Sequence, residues 1–188
     1  HEIKELAQWG YKARTFESAK ADVTVAIAHD FGTLGELCTK RAADANSKGY
    51  LAITLMEFYT HPYLGMEKAV EFLNTTAATT LNIAGNGIYT LKKFMTQDTV
   101  DILMRQFLRA TTNDAILKNP IIQVRSGGQT GIDEAGIKAA MELSIPSLII
   151  APQGFTFRNE HKLDIKGQHR KFVDRFITEG CEIEWEGF

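Results

Sequence analysis

Three features of the sequence predict an α/β fold with a largely parallel sheet. Short apolar strands alternate with amphipathic helical segments along the chain. The strands are largely apolar, which fits burial on both faces beneath helices. Four of them run into glycine-bearing loops, at 29–33, 85–87, 126–131 and 152–154. In a parallel sheet these carboxyl ends share one edge, where open α/β folds bind ligands. Together the four loops predict a small-molecule pocket on that edge.

The opening segment, to about Lys20, reads as helix. Residues 23–28 (VTVAIA) form a strand, followed by a helix whose expected inner face is Leu34, Leu37, Cys38, Ala42 and Ala45. Gly49 ends that helix, and residues 50–55 give a second strand. Residues 56–78 are less regular: Pro62 and Gly65 mark a turn, and Met66, Ala69, Val70 and Leu73 suggest a short helix. A third strand covers 80–84. Thr96 then caps a helix that buries Val100, Leu103, Met104, Phe107 and Leu108. Residues 121–124 (IIQV) read as a buried strand, and 147–151 (SLIIA) as another. The tail holds a helix with Phe172, Val173, Phe176 and Ile177. It ends in an alternating edge strand, with Cys181, Ile183 and Trp185 on one face. The whole is expected to be one domain over 1–188, with an insertion at 56–78 and an extension at 160–188.

The richest stretch is Arg125-Ser126-Gly127-Gly128-Gln129-Thr130-Gly131. Behind it Ile132, Ala135, Gly136, Ala139, Ala140 and Leu143 fall on one helical face. A strand entering a helix through glycines suits an anion, because backbone N–H groups can approach it and the helix dipole favours it. The competing reading is a tight turn with Thr130 and Asp133 as a capping box. A bulky residue at Gly128 is expected to abolish binding and leave the fold mostly intact. The stretch has neither the G-x-G-x-x-G spacing nor the phosphate-loop lysine.

Composition excludes more than it identifies. A formal net charge of −2 argues against a general nucleic-acid binder, and no apolar run reaches membrane-spanning length. Residues 1–5 do not form a signal peptide, and two cysteines without metal spacing read as reduced packing residues. A cytoplasmic location follows as the expectation.

The segment Ser126-Gly-Gly-Gln-Thr-Gly-Ile-Asp133 resembles the glycine signature of the SLOG superfamily, especially its YpsA-like and molybdenum-carrier-like branches. Residues 81–86 (LNIAGN) resemble the strand and loop that open the YpsA-like core. Tyr11-Lys-Ala-Arg-Thr15, Ala21-Asp-Val-Thr-Val25 and Gly32-Thr-Leu-Gly-Glu36 resemble its second half. That half comes first here, so the resemblance implies a circularly permuted, Rossmann-like domain over roughly 11–55 and 80–159. Such proteins bind nucleotides or their derivatives. The LOG phosphoribohydrolases among them cleave nucleoside monophosphates, using an arginine and the glutamate of P-G-G-x-G-T-x-x-E. Arg14 and Glu36 match that catalytic pair, whereas Ala28-His29-Asp30 replaces P-G-G and places a carboxylate where phosphate would approach.

Each candidate has a plain alternative. Glu36 is either catalytic or half of a capping box with Thr33, Arg14 either a phosphate clamp or an exposed charge, and Asp133 either a ribose ligand or a cap. Asn86, between Gly85 and Gly87, is expected to shape the pocket floor, and Asn82 to be structural. His29, Asp30, Gly32, Pro152, Arg158 and Asn159 complete the candidate ligand contacts. The basic residues from Lys162 to Arg175 read as solvated surface.

The first expectation is therefore a binder of a nucleotide-derived molecule, ADP-ribose-like or cyclic, that needs no cofactor. The resemblance extends this to an immune-signal sensor, or to a viral sponge in the host cytoplasm, acting as a homo-oligomer. The second is a LOG-like N-glycosidase. The third is a molybdenum-cofactor carrier, for which no soft-ligand cluster is visible.

Overall fold

A computed structural model describes residues 1–113 and 115–177; the expected edge strand at Cys181–Trp185 lies outside them. The elements are β1 (Glu2–Glu5), α1 (Tyr11–Ser18), β2 (Val23–Ala28), α2 (Leu34–Ala45), β3 (Gly49–Thr54), α3 (Leu55–Thr60) and α4 (Pro62–Thr76). Then come β4 (Thr80–Gly85), α5 (Ile88–Leu91), α6 (Gln97–Thr111), β5 (Gln123–Ser126), α7 (Ile132–Glu142) and β6 (Ser147–Ala151). A hairpin of β7 (Phe157–Arg158) and β8 (Asp164–Ile165) precedes α8 (His169–Asp174).

Six strands form one sheet in the order β1-β6-β5-β4-β2-β3, every pairing parallel. All residues of β2 and β6 are buried, as their near-continuous apolar runs require of strands covered on both faces. Both α2 and α4 pack on β2 and β3 but not substantially on each other, so they lie on opposite faces. α1 joins α2, and α6 joins α4 and α7. The protein is thus a Rossmann-like α/β fold. From β2 the chain steps outward to β3, whereas from β4 it steps the other way through β5 to β6. The reversal between neighbouring β2 and β4 opens a crevice beyond their carboxyl ends.

α7 packs close because its inner face is small: a Cβ on Gly136 would lie 2.5 Å from Ile83 Cγ2 on β4. α6 buries the five residues expected of it, and the Thr96 hydroxyl accepts from the Thr99 N–H at 3.3 Å. Among the described residues no helix is long and apolar enough to cross a membrane.

Five local expectations are corrected. The opening segment is not helical throughout: Glu2–Glu5 is an edge strand whose register on β6 runs from Glu2↔Leu148 to Glu5↔Ala151. With Ile3 its single buried residue, it carries no apolar period to read, and its charges suit an edge. Residues 56–78 are two helices, because Pro62 sits in the first turn of α4, where its missing N–H costs nothing. The inner face of α2 is Glu36, Thr39, Ala42 and Ala43, while Leu34 is 87% exposed. The fourth strand of the list runs two residues later than expected, at Gln123–Ser126, leaving Ile122 exposed. Ile177, beyond α8, is also exposed.

Candidate ligand-binding cavity

A cavity of about 510 Å³ opens at the crevice between β2 and β4. Its walls come from α1, the start of α2, the end of β4, the glycine loop after β5, and the β7–β8 hairpin. The amino ends of α2 and α7 both border it.

Asn86 organises the loops around it. Its Oδ1 accepts from the N–H groups of His29 (2.9 Å) and Asp30 (3.0 Å). Its Nδ2 donates to the Asp30 carbonyl (3.1 Å) and to Glu36 Oε1 (3.4 Å). One buried amide thereby ties the loop after β2 to the loop after β4, a larger task than shaping a floor. Asp30 turns away to close its own loop on the Gly32 N–H, at 2.7 Å. His29 packs on the Phe94 ring, with centroids 4.2 Å apart.

The glycine loop is fixed from several sides. Gln129 receives the Arg158 N–H at 2.9 Å and donates to the Thr156 carbonyl at 3.3 Å. Thr130 donates to the Arg158 carbonyl at 2.6 Å, so it does not cap α7; Gly131 at φ 88 occupies the N-cap without a side-chain bond. Arg14 is buried against this loop. Its Nη1 donates to the Gly127 carbonyl (2.8 Å) and lies 3.7 Å from Asp133 Oδ2. The exposed-charge reading of Arg14 is therefore excluded.

Gly128 corrects another expectation. At φ 65 it points away from the cavity, and an added Cβ would lie 2.7 Å from Ile149 Cγ2 and 2.9 Å from Phe172 Cζ. A bulky residue there would strike the core, so the fold would not be left intact.

Two buried carboxyls set the electrostatics. Thr33 caps α2 by accepting from the Glu36 N–H, but the Glu36 side chain does not return to complete the box. Burial, then the nearby Asp133 charge, pushes Glu36 up to about 8, and the Asn86 amide only partly opposes this. Burial likewise raises Asp133 to about 6 against the pull of Arg14 and the backbone N–H groups. Glu36 Oε2 is buried without a hydrogen-bond partner.

The rim is aromatic and cationic. Arg158 makes a two-point bond to Asp164 (2.7 and 3.0 Å), which also accepts from the Tyr11 hydroxyl at 2.7 Å. Its guanidinium lies 5.3 Å from the Tyr11 ring and 5.8 Å from that of Tyr89, with Lys162 6.0 Å from Tyr89.

Of the residues singled out in the sequence, Arg14, Thr33, Glu36, Gly85, Asn86, Gly87, Gly127, Gln129, Thr130, Asp133 and Arg158 line the cavity. His29, Asp30, Gly32, Ser126, Gly128, Gly131, Pro152 and Asn159 do not, and the loop at 152–154, expected to border the pocket, contributes no residue to its lining. Tyr11, Thr15, Ser18, Thr39, Asn82, Tyr89 and Lys162 line it without having been candidates. A signal for some of them existed: 11, 14, 15 and 18 share one face of α1, a mostly polar stripe of Tyr, Arg, Thr and Ser.

Among the described residues no group of three or more His, Cys, Asp or Glu could hold a metal ion. Fold and cavity define a Rossmann-like α/β protein with a cleft at its topological switch point. No protein-family model matches the sequence, and a search of curated proteins finds no significant match.

Proposed function

We propose that this protein binds a nucleotide or nucleotide-derived small molecule, of ADP-ribose-like or cyclic type, in the cavity at the sheet's carboxyl edge. The observation that carries this reading is the convergence of Arg14, Glu36, Asn86, Gly127 and Asp133 on one cavity of about 510 Å³ at the switch point. That volume suits a ligand of this size, and the mix of aromatic, cationic and amide groups suits base, sugar and phosphate together. The resemblance to SLOG domains agrees with it and suggests capture of a signalling nucleotide, as a sensor or a sponge. The resemblance alone supports a homo-oligomer.

A second reading, LOG-like N-glycosidic hydrolysis, is favoured by one observation: Arg14 and Glu36 line the same cavity, and Glu36 is held protonated near neutral pH. A protonated carboxyl can donate to a leaving base. Against it, Arg14 is already engaged by Gly127 and Asp133. Molybdenum-cofactor carriage rests on the resemblance alone.

Incubation with AMP, ADP-ribose and a cyclic ADP-ribose, followed by denaturation and mass spectrometry, separates the readings. Binding predicts intact ligand recovered from the protein. Hydrolysis predicts free base, released at least about a hundredfold more slowly by Glu36→Gln. Base release at that sensitivity overturns pure binding, and failure of every probe to bind overturns both.

A further inference from the structure

The cavity is electrically two-ended. At its inner end Arg14 is the only cation lining it among the described residues, and Asp133 and the Gly127 carbonyl already engage its Nη1. Glu36 lies beside them with no cation of its own, and Asp30 adds a further negative charge nearby. Asn82 and Ser18 complete this end, 2% and 3% exposed. Asn82 Nδ2 donates to the Thr24 hydroxyl at 3.1 Å, whereas Asn82 Oδ1, Ser18 Oγ, Glu36 Oε2 and the Arg14 Nε packed against Gly127 are buried with no hydrogen-bond partner. Such atoms are costly in a folded interior unless something in the site satisfies them. The outer end is the reverse. Lys162 is exposed and Arg158 half-exposed, each against a tyrosine ring.

A phosphate dianion placed at the inner end would face the Asp133 carboxylate, and the cation there, Arg14, is already shared with Asp133 and the Gly127 carbonyl through Nη1. At the outer end it would meet Lys162 and the outward face of Arg158. We infer that a nucleotide-type ligand enters with its neutral, hydrogen-bonding part inward, against Glu36, Asn82 and Ser18, and its phosphate outward at Lys162 and Arg158. This rests on the nucleotide-binding reading and adds the ligand's direction. The direction makes Ser18 and Asn82 readers of the nucleoside and Lys162 the reader of the phosphate. It is the opposite of a phosphate seated deep on the glycine loop.

Calorimetric titration of adenosine, AMP and ADP-ribose into the wild type, Ser18→Ala and Lys162→Gln tests it. Both variants are mild: the first removes an unpartnered hydroxyl, the second an exposed charge, and thermal unfolding checks that each is folded. AMP is expected to bind the wild type more tightly than adenosine. Ser18→Ala is expected to weaken both by the same factor, about threefold to tenfold. Lys162→Gln is expected to weaken AMP about threefold and leave adenosine unchanged. The direction is overturned if Lys162→Gln weakens both alike or spares AMP, or if Ser18→Ala spares adenosine. If none of the three probes binds the wild type, the nucleotide-binding reading itself fails, which is a different result from a wrong pattern among binders.

Discussion

An added Cβ at Gly127 would lie 2.6 Å from the Arg14 guanidinium carbon, whereas at Gly128 it would meet Ile149 and Phe172. Two adjacent glycines thus serve different ends, one the cavity and one the core. Gly127→Ala is expected to push Arg14 off Asp133 and weaken ligand binding at least tenfold, with a modest loss of stability. Gly128→Ala combines a left-handed backbone with core overpacking. It should cost about 2–4 kcal/mol and lower Tm by roughly 5–15 °C. Calorimetric unfolding of both variants checks this; equal Tm losses would remove the distinction. The sequence could point to this loop but not to which glycine faces which side, since that depends on how the loop rests on Phe172, some 45 residues later. Glu36 was recognisable from its spacing to Thr33, yet its unshared side chain was not. Asn82 looked structural because one polar residue in an apolar strand usually is, and only the neighbouring α1 turns its strand face into a cavity wall.

At the scale of elements, α8 braces the glycine loop from outside. Arg175, just past its end, donates to the Gly128 carbonyl at 2.7 Å and to Glu134 at 2.8 Å. Its guanidinium stacks on Phe157, Phe172 and Phe176 within 4.9 Å of each centroid. Arg175→Ala leaves Glu134 with Lys138 at 2.7 Å, so the carboxylate keeps a partner. The expected loss is about 1–3 kcal/mol, with faster amide exchange at Gln129 and Thr130. Arg175→Lys keeps charge but loses the flat stack and should recover only part of it. Exchange unchanged in the alanine variant would leave α8 as core packing alone. The long elements followed directly from the sequence, because α6 and α7 carry full helical periods and β2, β4 and β6 mostly apolar runs. What escaped was short or made by partners: β1 exists through its pairing with β6, and β7 and β8 through each other. Residues 56–78 misled because Pro62 and Gly65 punctuate most sequences. Here the proline starts a helix and the glycine lets it approach Ile53, 3.3 Å from an added Cβ.

For the molecule as a whole, buried charge at the cavity fixes how stability varies with pH. Glu36 ordinarily titrates near 4.5 and Asp133 near 3.8, but here they are raised to about 8 and about 6. Each senses the other's charge, so the pair releases its protons in two shared steps. Between the ordinary and the raised values the folded protein holds protons that the unfolded chain has released. Stability must therefore fall as pH rises from about 4 to 8, by up to about 1.4 kcal/mol per pH unit for each proton. Asp22 acts in the other sense. Burial opposes its ionisation, but hydrogen bonds from Thr79 and Thr80 hold it near 2, so its contribution is present above 3.8 and lost as pH falls toward 2. The two slopes meet at mildly acidic pH. A Tm profile from pH 3 to 9 is accordingly expected to peak near 4–5 and decline toward 8. Glu36→Gln removes one proton from the balance: it should match the wild type at pH 4, exceed it at pH 8, and flatten the decline between. A ligand donating to Glu36 would stabilise the ionised carboxyl and lessen the same decline. Parallel profiles for variant and wild type across pH 5–8 would show that the cavity carboxyl is not the source of the slope.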